Sequence, residues 1–185
     1  MTTYAEQFAI LFRDEVAKAM DHLREAFRDE LKAQGHYNTG KLSDSIHYEI
    51  ELISTSIIAT MFIEEYGFPV DTGVTAARIP YLRGSGAKSS KYIDGLVAYF
   101  KSKGLGEVEG RRAAFATANK HKQEGMPTRS SFAYSNNGRR TGFNQATIAE
   151  NSEKILGLMG DNIGESIGFI FRDFINKMAY EAQRG

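Results

Sequence analysis

No cysteine occurs in the 185 residues, so neither a disulfide nor a thiolate metal site can form, and the composition fits a reducing cytosol. Tryptophan is also missing, and the formal net charge is zero, which is unlike a protein built as a whole to bind polyanions. No apolar run is long enough to span a bilayer, and the amphipathic N-terminus is not signal-like, so no membrane partner is expected. The HExxH, HxH, GxSxG, Walker and GxGxxG patterns are all absent, which removes the usual metal, nucleophile and phosphate cradles. What is left is ordinary for a globular chain: 42% apolar and 25% charged residues, enough for one domain with a sizeable core.

The charge is unevenly placed. Residues 78–140 hold 13 Lys/Arg against 4 Asp/Glu, a net of +9, and the rest hold 10 against 19, a net of −9. Bipolar subunits associate head to tail or face something anionic, although a solvated basic segment facing its own acidic half fits the same numbers.

Along the chain, Phe8, Phe12, Val16, Met20, Leu23, Phe27 and Leu31 recur at spacings of three or four and predict an amphipathic helix over 3–34. Thr3 with Glu6 suits a capping box, and Gly35 suits the stop. A turn at Asn38-Thr39-Gly40-Lys41 leads to strands at about 45–53 and 57–66. In the first, Ile46, Tyr48, Ile50 and Leu52 alternate with His47, Glu49 and Glu51; the second is apolar enough for cover on both faces. A turn at Ser54-Thr55 sets Ile50 beside Ala59 and Ile46 beside Ile63. Residues 67–90 read as a long irregular loop, the kind that serves a function or orders in an assembly. Helices at about 90–103 and 108–123 make an inserted hairpin, and a last helix is expected at 161–183, with 146–159 leading into it.

Gly125-Met126-Pro127 begins the most distinctive stretch. The Asn137-Gly138 pair is a strong signal for a second β-hairpin, with Phe132 facing Phe143 and Tyr134 facing Thr141. Arg139 and Arg140 then sit at a projecting tip beside Arg129. The expected fold is α+β, an antiparallel sheet from two β-hairpins packed against long N- and C-terminal helices. Residues 1–185 form one domain in this reading, with an insertion at about 67–125.

Candidate chemistry is sparse. His22, His36, His47 and His121 lie far apart, and His22 and His47 read as surface residues. Glu49 and Glu51 follow from strand alternation, and Glu64-Glu65 from a strand end, so acid–base work is not indicated and no enzyme is expected. Catalytic residues, metal and cofactor are each expected to be none. Arg111, Arg112, Lys120, Lys122, Arg129, Arg139 and Arg140 are interleaved with Phe115, Phe132, Tyr134 and Phe143, which leaves a nucleic-acid-binding module open. The same aromatics fit hairpin packing. Partner contact is assigned to Arg129, Arg139, Arg140, Phe132 and Tyr134 near the hairpin, and to Phe68, Arg78 and Arg83 in the long loop.

The run Thr39-Gly40-Lys41-Leu42-Ser43-Asp44-Ser45-Ile46, then a strand, then Phe62-Ile63-Glu64-Glu65-Tyr66-Gly67, resembles tail-completion and head–tail joining proteins of tailed bacteriophages. Ser90-Lys91-Tyr92-Ile93-Asp94-Gly95-Leu96 and Gly125-Met126-Pro127-Thr128-Arg129 look like the variant with an inserted helical pair. Many relatives carry a short "PPF" before the final helix, where this chain is expected to have a full hairpin around Asn137-Gly138. The resemblance implies a structural virion protein of the neck, assembled in the host cytoplasm as a homo-oligomeric ring, commonly sixfold. Its implied neighbours are head–tail connector or portal-side proteins and tail-terminator or tail-tube proteins. Genome DNA would pass nearby without sequence-specific contact. A tail terminator capping the tube is the alternative.

Overall fold

The structure, a computed structural model, describes residues 4–53, 56–84, 90–160 and 164. Helices and a two-stranded antiparallel sheet share the chain, so its class is α+β, as the sequence indicates. Two compact units divide it. The first gathers Met1–Lys32, Tyr37–Glu65 and Phe143–Gly185, and the second gathers Ala33–His36 and Tyr66–Gly142. The charge follows the same division: by sequence the second unit holds 13 Lys/Arg against 5 Asp/Glu (+8) and the first 10 against 18 (−8).

The first unit is organised by α1, Tyr4–Ala33. Of its predicted stripe, Val16, Phe27 and Leu31 are buried and Phe12, Met20 and Leu23 half-buried, with Ala19 buried beside them. On the wet side Asp29 and Lys32, three residues apart, form an exposed ion pair. The expected cap at Thr3 lies outside the described residues. After the helix, Gly35 takes φ 73°, the left-handed stop that glycine allows. A single helical turn, α2 at Lys41–Asp44, stands where only a turn was expected. Arg28 of α1 donates to the carbonyls of Ser43 and Ile46 at its end, at 3.1 and 3.5 Å.

Strands β1, His47–Ile53, and β2, Ser56–Phe62, pair in the expected register, with Ile50 opposite Ala59. The turn at Ser54-Thr55 lies outside the described residues. Pairing stops at His47 and Phe62, so Ile46 and Ile63 fall beyond the ladder, and Ile46 is buried. The inner face is tied to α1 by Tyr48, whose hydroxyl donates to Asp21 Oδ1 at 3.0 Å beneath the Arg24 guanidinium. The double cover expected for β2 is absent: Ile58 and Phe62 are 48% and 39% exposed. Its apolar run reflects β-branched strand preference on a wet face. Residues 143–160 form a further helix, α6. Phe143 is wholly buried and meets Phe27 edge-on, with ring centroids 6.3 Å apart. Asn151 bonds His22 at 3.2 Å, so His22 is partly covered, contrary to the surface position expected for it. The final helix predicted over 161–183 lies outside the described residues.

In the second unit, the segment read as irregular is locally ordered. It contains α3, Gly67–Thr72, and a 3-10 turn at Ala76–Arg78; 85–89 lie outside the described residues. Val74 and Met126 exchange two backbone hydrogen bonds of 2.7 Å. The helical hairpin is present as α4, Lys91–Ser102, and α5, Glu107–Glu124. Ile93 and Val97 pack on Ala114 and Ala118, whose small side chains let the helices approach closely. Ala118→Leu is therefore expected to lose about 1–3 kcal/mol of stability by overpacking, read by urea denaturation.

The second β-hairpin does not form. Arg129–Tyr134 is a 3-10 helix, and β1–β2 is the only sheet among the described residues. Local bonds outcompete the ladder: Asn137 Oδ1 accepts from the Arg139 N–H at 3.1 Å and from Ser135 Oγ at 3.0 Å. Phe143, the expected partner of Phe132, is instead claimed by the core around Phe27.

Candidate functional site

Residues 129–142 carry most of the candidate contacts, and their shape is set by the chain just after α1. Helix ends leave carbonyls without partners. The Asn136 N–H donates to the Ala33 carbonyl at 2.7 Å, and the Arg140 guanidinium donates to the Gln34 carbonyl. Gln34 is fully buried and its amide donates to the Thr141 carbonyl at 3.2 Å. His36 Nε2 donates to the Arg140 carbonyl at 3.1 Å, which fixes its neutral tautomer. Gly35 makes room for all of this, since a Cβ there would meet the Tyr134 carbonyl and the Arg140 guanidinium.

Arg140 is thus no projecting tip. Burial pushes its pKa down, and its charge serves the end of α1. A substitution at Arg140 reports on folding before it reports on any partner. Arg139 is half-covered. Arg129 is exposed, with its backbone N–H on Glu124 Oε2 at 3.0 Å. Glu124 also pairs with Lys120, and that bond, with the Arg129 N–H, holds its carboxyl below the ordinary range. Phe132 and Tyr134 are exposed, as are Phe68, Arg78 and Arg83. All eight predicted contact residues belong to the basic unit.

The cations suggested for nucleic acid are partly spoken for. Lys120 pairs with Glu124 at 2.6 Å, and Lys122 Nζ donates to the Ile79 carbonyl at 3.1 Å. Arg111 and Arg112 are exposed on α5, Arg111 lying 5.6 Å from the Phe115 ring centre. The clasp of Gln34, His36 and Arg140 escaped sequence reading because its members are more than a hundred residues apart. Between α4 and α5, the Tyr92 hydroxyl bonds His121 Nδ1 at 2.6 Å, and burial pushes the phenol up to about 12. Among the described residues no three His, Cys, Asp or Glu gather as metal ligands, and no helix is long and apolar enough to cross a membrane.

No protein-family model, curated protein or solved structure matches the chain.

Two half-buried histidines make stability depend on pH. Burial, reinforced by Arg140, lowers the His36 pKa from 6.5, and burial lowers that of His121. The unfolded chain then binds more protons than the folded one, so stability is full above about 6.5 and declines as pH falls below it. His36→Gln, which keeps a donor for the Arg140 carbonyl, should flatten this decline in thermal melts between about pH 7.5 and 5.5.

Proposed function

We propose that the protein is a structural component of the neck of a tailed-phage virion, a homo-oligomeric ring joining the head and portal side to the tail. The single observation that carries this reading is the coincidence of charge with architecture: one compact unit holds +8 and the other −8. A ring needs two different, complementary faces on each subunit, and units of opposite net charge can supply them. The Thr39–Ile46 and Phe62–Gly67 motifs add the resemblance to head–tail joining proteins. Exposed Phe68, Phe132 and Tyr134, with Arg78, Arg83 and Arg129, offer aromatic and cationic anchors for neighbouring rings.

Cryo-electron microscopy of purified particles should place the chain as a ring at the neck, with a tail terminator distinguished by what lies above and below it. Absence of the chain from purified virions removes the proposal. With Lys120, Lys122 and Arg140 each bonded to a partner within the chain, we expect no retention on duplex or single-stranded DNA at about 0.15 M salt. Tight retention there would favour a nucleic-acid-binding module instead.

A further inference from the structure

We infer that the exposed face of the β1–β2 hairpin is a self-association surface whose occupant is α5 of a second copy of this chain. The inference rests on the ring reading and names the surfaces that would build it.

The sheet face has two halves. On β1 it presents His47, Glu49 and Glu51, and on β2 their partners Phe62, Thr60 and Ile58. One row is acidic and the other largely apolar, with the His47 ring stacked on Phe62 at 5.2 Å. A two-stranded sheet is marginal unless a face is packed, and here the wet face still carries Ile58 and Phe62. The sequence that carries it is acidic: within residues 42–65 stand Asp44, Glu49, Glu51, Glu64 and Glu65 and no Lys or Arg.

Helix α5 is arranged the opposite way to an ordinary surface helix. Its smallest residues, Gly110, Ala114 and Ala118, are buried on its inner side. Bulk and charge point outward instead, with Val108 57% and Phe115 37% exposed beside the exposed Arg111 and Arg112. Phe115 meets Tyr81 at the edge of the α4–α5 core, with ring centroids 6.4 Å apart, and keeps an exposed edge on the same side of the helix as Val108. The dimensions agree: seven helical residues from Val108 to Phe115 rise about 10 Å, and four strand residues from Ile58 to Phe62 span about 13 Å. Docked together, the apolar pairs meet while Arg111 and Arg112 reach Glu49 and Glu51. Because the two surfaces differ, the contact runs head to tail and can close into a ring.

The absence of cysteine makes the test clean. Full-length chains carrying Ile58→Cys and Phe115→Cys are purified separately, mixed and oxidised mildly, and native mass spectrometry of the unsubstituted chain reports oligomerisation independently. The expected result is a disulfide-linked dimer of the two variants, at least about tenfold more abundant than with Tyr134→Cys in place of Phe115→Cys. In addition, Glu49→Lys with Glu51→Lys should weaken self-association about tenfold, and mixing with Arg111→Glu, Arg112→Glu chains should restore it. Oligomers without the cross-link overturn this pairing and leave the ring reading standing. Equal linking to the Tyr134→Cys control, or no linking at all, overturns the pairing as well. A chain that neither oligomerises nor occurs in particles overturns both.

Discussion

Phe143→Ala should cost about 3–5 kcal/mol of stability, whereas Phe132→Ala should change it by less than about 0.5 kcal/mol. Phe143 has no exposed surface and meets Phe27 edge-on, so truncation removes the transfer free energy of the ring and leaves a cavity between α1 and α6. Phe132 stands 43% exposed on the 3-10 helix and gives up little contact. For a chain of this size the melting temperature falls about 2–4 °C per kcal/mol, so a melt separates the two variants readily. The comparison also decides the local fold. In a 132–143 hairpin both rings would share a face, and the two substitutions would cost similar amounts. Similar losses would sink the structure described here.

That hairpin shows where the sequence stopped being legible. Strong periodicity over many residues gave α1 and the α4–α5 pair almost to the residue, because an amphipathic stripe has one low-energy answer. The β1–β2 register was readable because Ile50 and Ala59 share an inner face, and a slip by one residue would turn Ile50 out. Asn137-Gly138 is a two-residue signal, and it lost to distant demands: the Ala33 and Gln34 carbonyls draw in Asn136 and Arg140, while Phe27 draws in Phe143. Neither pull leaves a mark within a local window. The apolar run of β2 misled for a related reason, since hydrophobicity does not say which face is covered. Among the candidate contacts, Arg129, Phe132 and Tyr134 kept their exposure under a changed backbone, and Arg140 became part of the scaffold. Net charge by segment proved the most transferable feature, because a split counted over 78–140 coincides with a compact unit spanning Tyr66–Gly142.

Gly35→Ala should be the most damaging glycine substitution near that scaffold, at about 2–4 kcal/mol. Two costs combine. An L-residue held at φ 73° costs about 1–2 kcal/mol in the left-handed region. The new methyl group would also collide with the Tyr134 carbonyl and the Arg140 guanidinium, 2.6 Å away in the second case. The obstacle at Tyr134 is backbone, so relief requires moving the loop that satisfies the Ala33 and Gln34 carbonyls. Gly138 supplies the control: its φ is 74°, yet nothing lies within 4 Å of a Cβ built there. Gly138→Ala should therefore cost only the backbone part, about 1–2 kcal/mol. The difference between the two, read from denaturant midpoints with unchanged slopes, measures the clasp alone. Equal costs would mean that the loop yields freely at Gly35, and that Arg140 and His36 do not hold it.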